Sequence, residues 1–164
     1  PNEWNYITEL TAGTNSEKVN FAINYTMSSE GFLVNDGGQA SIKVKSGRKV
    51  IKFFAVTDSE NVTITLERSS GKPVLTKDTD SSNWGSSYAT KDENPLTVGV
   101  INTISEDGKS FIQDGNTNYH WYNLSGQYKS DNSTVEGEEI FFKVSGGRAL
   151  IFAINMSGSR NDEE

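Results

Sequence analysis

The chain has 164 residues, 34% of them hydrophobic and 10% aromatic, with a formal net charge of −7. That length suits one domain with a core large enough to fold without staples, and the acidic balance argues against nucleic acid or an anionic membrane, both of which reward basic patches. Cysteine is absent, which excludes disulfides and thiolate chemistry, and no apolar run reaches the ~18 residues of a membrane span.

From the N-terminus onward, apolar residues recur with period two, and no run holds the helical 3.6 period for three turns. The opening PNEWNYITEL has neither an initiator methionine nor a basic-then-apolar leader, so it suits a mature protein or an excised domain. VNFAINYT places Val19, Phe21, Ile23 and Tyr25 on one strand face. After the turn-forming Asn35-Asp36-Gly37-Gly38, ASIKVK turns Ile42 and Val44 inward and Lys43 and Lys45 outward. SGRKVI at 46–51 is echoed by GGRALI at 146–151, and each echo reads as a hairpin: strand, glycine turn, arginine, strand. NVTITLER puts Val62, Ile64 and Leu66 on one face, and Ser70-Gly71 ends it. In all, about ten to twelve short strands with frequent turns predict an all-β chain, an antiparallel two-sheet β-sandwich of jelly-roll type.

The stretch TKDTDSSNWGSSYATKDEN lacks a strong period, so the reading is one domain over residues 1–156 with a long loop near 76–94 and a frayed tail at 157–164. Within that loop Asp78, Asp80 and Asn83 offer hard oxygen donors at close spacing, a weak calcium signal. It departs from the EF-hand pattern, which needs glycine at the sharp turn where Asn83 stands, so a solvated acidic loop is the plainer account. Trp84 and Tyr88 lie in the same polar loop. Further on, NTNYHWYNLSG sets four rings in a row: Tyr119, His120, Trp121 and Tyr122. As a strand it places Tyr119 and Trp121 on one face and His120 and Tyr122 on the other, so one pair can pack while the other looks out. Sugar rings present apolar C–H faces that stack on indole or phenol while amides bind hydroxyls. On that chemistry Trp84, Tyr88, Tyr119, Trp121, Tyr122 and Asn118 are the candidate ligand-binding residues, set against core packing for Trp121.

Catalytic signatures are missing. The single histidine, His120, has no G-x-S-x-G elbow to serve and too few companions for zinc, and no phosphate loop follows Gly37-Gly38. A carboxylate pair for glycoside hydrolysis would be invisible among the acidic residues, so a small polysaccharide-active enzyme stays open. Sequons at Asn24, Asn61, Asn123, Asn132 and Asn155 are what a chain rich in Asn, Ser and Thr produces by chance.

The ordered series GGQASIKVKSGRKVIKFFAV, NVTITLERSSGKPV and EEIFFKVSGGRALIFAIN resembles the carbohydrate-binding-module-like β-sandwich domains of bacterial pectate lyases and related polysaccharide-degrading enzymes. The likeness covers roughly residues 31–76 and 138–155. Residues 78–136, which hold most of the unusual aromatics, depart from the pattern, so the resemblance carries over no binding residue. It implies a sandwich fold and polysaccharide capture in an exported setting. The expectation is therefore a non-catalytic, lectin-like domain, extracellular or at the cell surface. Its partner is a polysaccharide or glycan, alongside other domains of a larger exported protein or copies of itself. The alternative is a structural or adhesive filament subunit assembled by β-strand addition, with residues 1–10 as donor strand.

Overall fold

The computed structural model of the chain describes residues 6–25, 27–48, 50–80, 89–91, 94–97, 103–112, 118–123 and 132–157. Two sheets face each other. The smaller one has the order β1 (Ile7–Ala12), β4 (Gln39–Val44), β13 (Glu139–Ser145), β6 (Thr63–Arg68), β9 (Leu96–Thr97). The larger one runs β10 (Thr103–Ile104), β11 (Ser110–Ile112), β2 (Ser16–Ile23), β3 (Met27–Val34), β14 (Ala149–Ser157), β5 (Val50–Thr57), β12 (Asn118–Asn123), β7 (Leu75–Asp80), β8 (Ala89–Lys91). Neighbours are antiparallel except β11 against β2. The expected antiparallel β-sandwich is thus the observed architecture, and no helix among the described residues is long and apolar enough to cross a membrane.

The echoed segments are not hairpins. β4 and β5 belong to different sheets, as do β13 and β14, so each SGR or GGR turn carries the chain from one sheet to the other. β6 and β7 are joined across the sandwich in the same way. A tight hairpin uses about two turn residues, and these connectors are longer, which lets the chain arch across the ~10 Å between packed sheets. The echo is nonetheless structural: β4 pairs with β13 and β5 with β14, so the two arches lie side by side.

Period two predicts the inner faces well. Ile42, Val44, Val62, Ile64 and Leu66 are buried in the inter-sheet core with Phe53, Phe142 and Tyr122. Val19 and Phe21 are also buried, but against a second cluster on the opposite face of the larger sheet, with Leu33, Val56, Leu150, Phe152, Ile104 and Phe111. Tyr25, expected on that strand face, instead sits in the β2–β3 turn with φ 70° and is 82% exposed. The second cluster exists because β5 and β14, at the middle of the larger sheet, are apolar on both faces. Phe54 and Val56 look away from the core that holds Ile51 and Phe53, and the β10–β11 hairpin covers part of that outer surface.

One buried ion pair ties the end of β6 to the segment that enters β13. Arg68 Nε donates to Glu138 Oε2 at 2.6 Å, with side-chain exposures of 0% and 1%. The guanidinium also donates to the carbonyls of Pro73, Asn132 and Ser133, while Glu138 accepts from Val135 N and Ser70 Oγ. A buried pair is tolerable only when its remaining donors and acceptors are satisfied like this.

Candidate functional site

The aromatic run is a strand, β12, in the interior of the larger sheet between β5 and β7. Tyr122 is 0% exposed and stacks on Phe53, with centroids 5.5 Å apart at 11°, while Phe53 meets Phe142 edge-on at 5.3 Å. Tyr122 was a ligand-binding candidate, and its burial corrects that: a fully buried ring stacked on Phe53 has no free face for a sugar. Its burial also assigns the strand. Alternation places residues 118, 120 and 122 on the core side and 119, 121 and 123 on the outer side.

Cross-strand register then defines the outer surface. One row of directly paired positions reads Phe152, Phe54, Tyr119, Thr79 across β14, β5, β12 and β7. The adjacent row reads Asn155, Lys52, Trp121, Lys77, Thr90, from β14 to β8. At ~4.8 Å per strand this second row spans about 19 Å. A bulge between Phe152 and Asn155 brings the latter into line, with Ala153 as the extra residue at φ 54°. The first row continues an aromatic ladder. Phe54 stacks on Phe152 at 5.4 Å, Phe152 meets Phe21 at 5.0 Å, and both Phe152 and Phe21 lie 5.7 Å from Phe111. At one end the rings are sealed by β10 and β11. At the other, Phe54 is only partly buried.

The other candidates fall differently. Asn118 opens β12 on its core-side parity, opposite Asp80. Trp84, Tyr88 and Asn83 lie outside the described residues, and their flanks Asp80 and Ala89 belong to β7 and β8. The long-loop expectation near 76–94 is therefore corrected at both ends, because 75–80 and 89–91 are paired strands. Polar residues at both sheet positions hid the period there. Asp78 and Asp80 are alternate residues of an extended strand, about 6.6 Å apart along it, and not neighbours in a tight loop. Among the described residues no group of three or more His, Asp or Glu could hold a metal ion.

Sequence reasoning missed the contribution of β5 and β7 to this face. Lys52, Phe54, Lys77 and Thr79 carry no motif, and only strand pairing brings them beside Tyr119 and Trp121. It also missed Asn155, whose buried Oδ1 has no hydrogen-bond partner among the described residues and whose amide group donates to Ala153 O at 3.5 Å.

No family model and no curated protein matches the chain. Among solved structures it is similar to the C-terminal CBM6 of LamC, a marine laminarinase from Zobellia galactanivorans. That likeness has 11% identity, covers 84% of this chain and 98% of that one, and has a TM-score of 0.21. At such a score the likeness to a carbohydrate-binding module is loose and carries no argument, so function rests on the geometry above.

Proposed function

We propose that the chain is a non-catalytic carbohydrate-binding domain whose site is the outer face of β5, β12 and β7, across which a polysaccharide lies. The carrying observation is the register that sets Trp121 between Lys52 and Lys77, and Tyr119 beside Phe54, on the face opposite buried Tyr122. In this reading Trp121 and Tyr119 stack on sugar C–H faces, and Lys52, Lys77, Thr79 and Thr90 bind hydroxyls. Trp84 and Tyr88, in the segment of the sequence between β7 and β8, are further candidates for stacking on sugar rings. The site works extracellularly, as a free domain or within a larger exported protein, and its ligand class is a neutral or acidic polysaccharide that lysines accommodate. Affinity electrophoresis through gels containing single polysaccharides tests it: retardation by at least one is expected, and none across glucans, xylans, mannans, pectins and chitin derivatives refutes it.

A second reading, assembly by strand addition, rests on β1, an edge strand that among the described residues pairs only with β4. The donor half of that idea is altered, since Ile7–Leu10 of the supposed donor already pair within the chain. A bulge between Ile7 and Glu9 and the exposed Thr8, Glu9 and Thr11 also blunt the edge as natural edges are blunted.

A further inference from the structure

The larger sheet splits at its centre. β3 starts at Met27 and β14 runs to Ser157, yet the two pair only between Gly31–Val34 and Ala149–Phe152. At the crossing the backbones are so close that a Cβ on Gly31 would lie 2.5 Å from Ile151 O and 2.7 Å from Phe152 Cβ. The next residue of β14, Ala153, adopts φ 54°, a left-handed conformation that costs a non-glycine residue energy, and the strand then follows β5 alone. Beyond Gly31 no ladder joins β3 to β14, and a cavity of about 320 Å³ opens between them. It is lined by Lys18, Ser29 and Glu30 from β2 and β3, by Phe152 and Ile154 from β14, and by Leu10 from β1. It runs on into a shallower groove of about 340 Å³ beside Ile7, Thr8 and Glu9.

Several features make this more than a gap in packing. Leu10 is 36% exposed and, with Phe152 and Ile154, gives the cavity an apolar lining. Lys18 and Glu30 stand at diagonal positions of the β2–β3 ladder, Lys18 opposite Phe32 and Glu30 opposite Asn20. They bring one cation and one carboxylate, with a hydroxyl from Ser29. The edges of β3 and β14 that face the wedge add backbone donors and acceptors that no ladder uses. Apolar lining with a few convergent polar groups is the composition of a small-ligand site, and the volume is at the small end of the ~300–1,000 Å³ range. The strained Ala153 sits in the wall, where strain maintained by the surrounding structure marks functional positions.

We propose that this wedge is a second sugar site, one that takes the terminal ring of a neutral saccharide; this rests on the glycan-binding reading of the chain. The wedge is closed at the Gly31 crossing, so a chain end fits and a through-running chain does not. Lys18 and Glu30 cancel in charge, so hydroxyls, which donate and accept, suit them better than a uronate or an amine.

The test is an amide-shift titration of the intact chain by NMR with the methyl glycosides of glucose, galactose, mannose, xylose and N-acetylglucosamine. The expected result is saturable shifts at Glu30, Gly31, Ala153 and Ile154 with at least one of them. Both Lys18→Met and Glu30→Gln, at exposed positions that leave the core intact, weaken that response about tenfold or more. Silence of these amides toward every glycoside, while a polysaccharide still moves the β12 amides, overturns the wedge site and leaves the sheet-face reading standing. Wedge shifts without any β12 response do the reverse. A wedge response that neither variant weakens, or shifts that follow protein concentration alone and mark a second copy's strand in the wedge, also overturns it.

Discussion

Tyr122 and Trp121 are neighbours in the chain with opposite duties, and the difference between them is one step of strand alternation. Tyr122 and Phe53 pack in the centre of the core, so Phe53→Ala opens a cavity beneath the Tyr122 ring. It should cost about 3–5 kcal/mol, read as a fall in the urea midpoint with the slope unchanged. Asp107 shows a smaller local effect in the β10–β11 turn. The Ser105 hydroxyl, at 2.7 Å, and then the Lys109 N–H, at 3.0 Å, donate to its carboxylate and hold its pKa below the ordinary aspartate value. A depressed carboxylate pKa favours the folded turn above the unfolded pKa, and that preference is lost as pH falls through the folded value. Carbon-detected NMR should therefore show Asp107 titrating below a free aspartate, and Ser105→Ala should move its midpoint upward.

At the level of elements, the strands were legible and their partners were not. Ile42, Val44, Ile64 and Leu66 declare an inner face because each alternates with a polar residue, and the structure buries all four. β7 escaped notice because Lys77, Asp78, Thr79 and Asp80 are polar at both parities, and its strand state comes from pairing with β12 over six positions. The glycine turns were legible as turns. Whether they closed hairpins or crossed the sandwich was not, since that depends on which strands pair at a distance. The platform row shares this limit: Trp121 was visible as a candidate, while Lys52 and Lys77 join it only through non-local register. The buried Arg68–Glu138 pair supplies its own test. Arg68→Met leaves a buried carboxylate with no cation and should destabilise the chain by about 3–5 kcal/mol. Adding Glu138→Leu should regain only part of this in denaturation experiments, because the carbonyls of Pro73, Asn132 and Ser133 have also lost their donor.

At the scale of the whole molecule the sandwich is unequal, with nine strands in one sheet and five in the other among the described residues. The inter-sheet core lies where the two overlap, while β10 and β11 fold onto the back of the longer sheet and seal part of its outer face. The β5–β12–β7 part of that sheet is where aromatic and lysine positions line up across the strands. The net charge of −7 on the chain makes those two lysine positions a local exception, suited to hydroxyl-rich or acidic ligands. The blunted β1 edge predicts a monomer at high concentration by light scattering, with any self-association confined to that edge and abolished by Leu10→Lys. The most direct measurement is the affinity of the intact chain and of Trp121→Ala for whichever polysaccharide retards it, by calorimetry, with circular dichroism confirming an unchanged fold. The sheet-face account predicts a loss of about tenfold or more, equivalent to about 1.4 kcal/mol; equal affinity in the folded variant would contradict it.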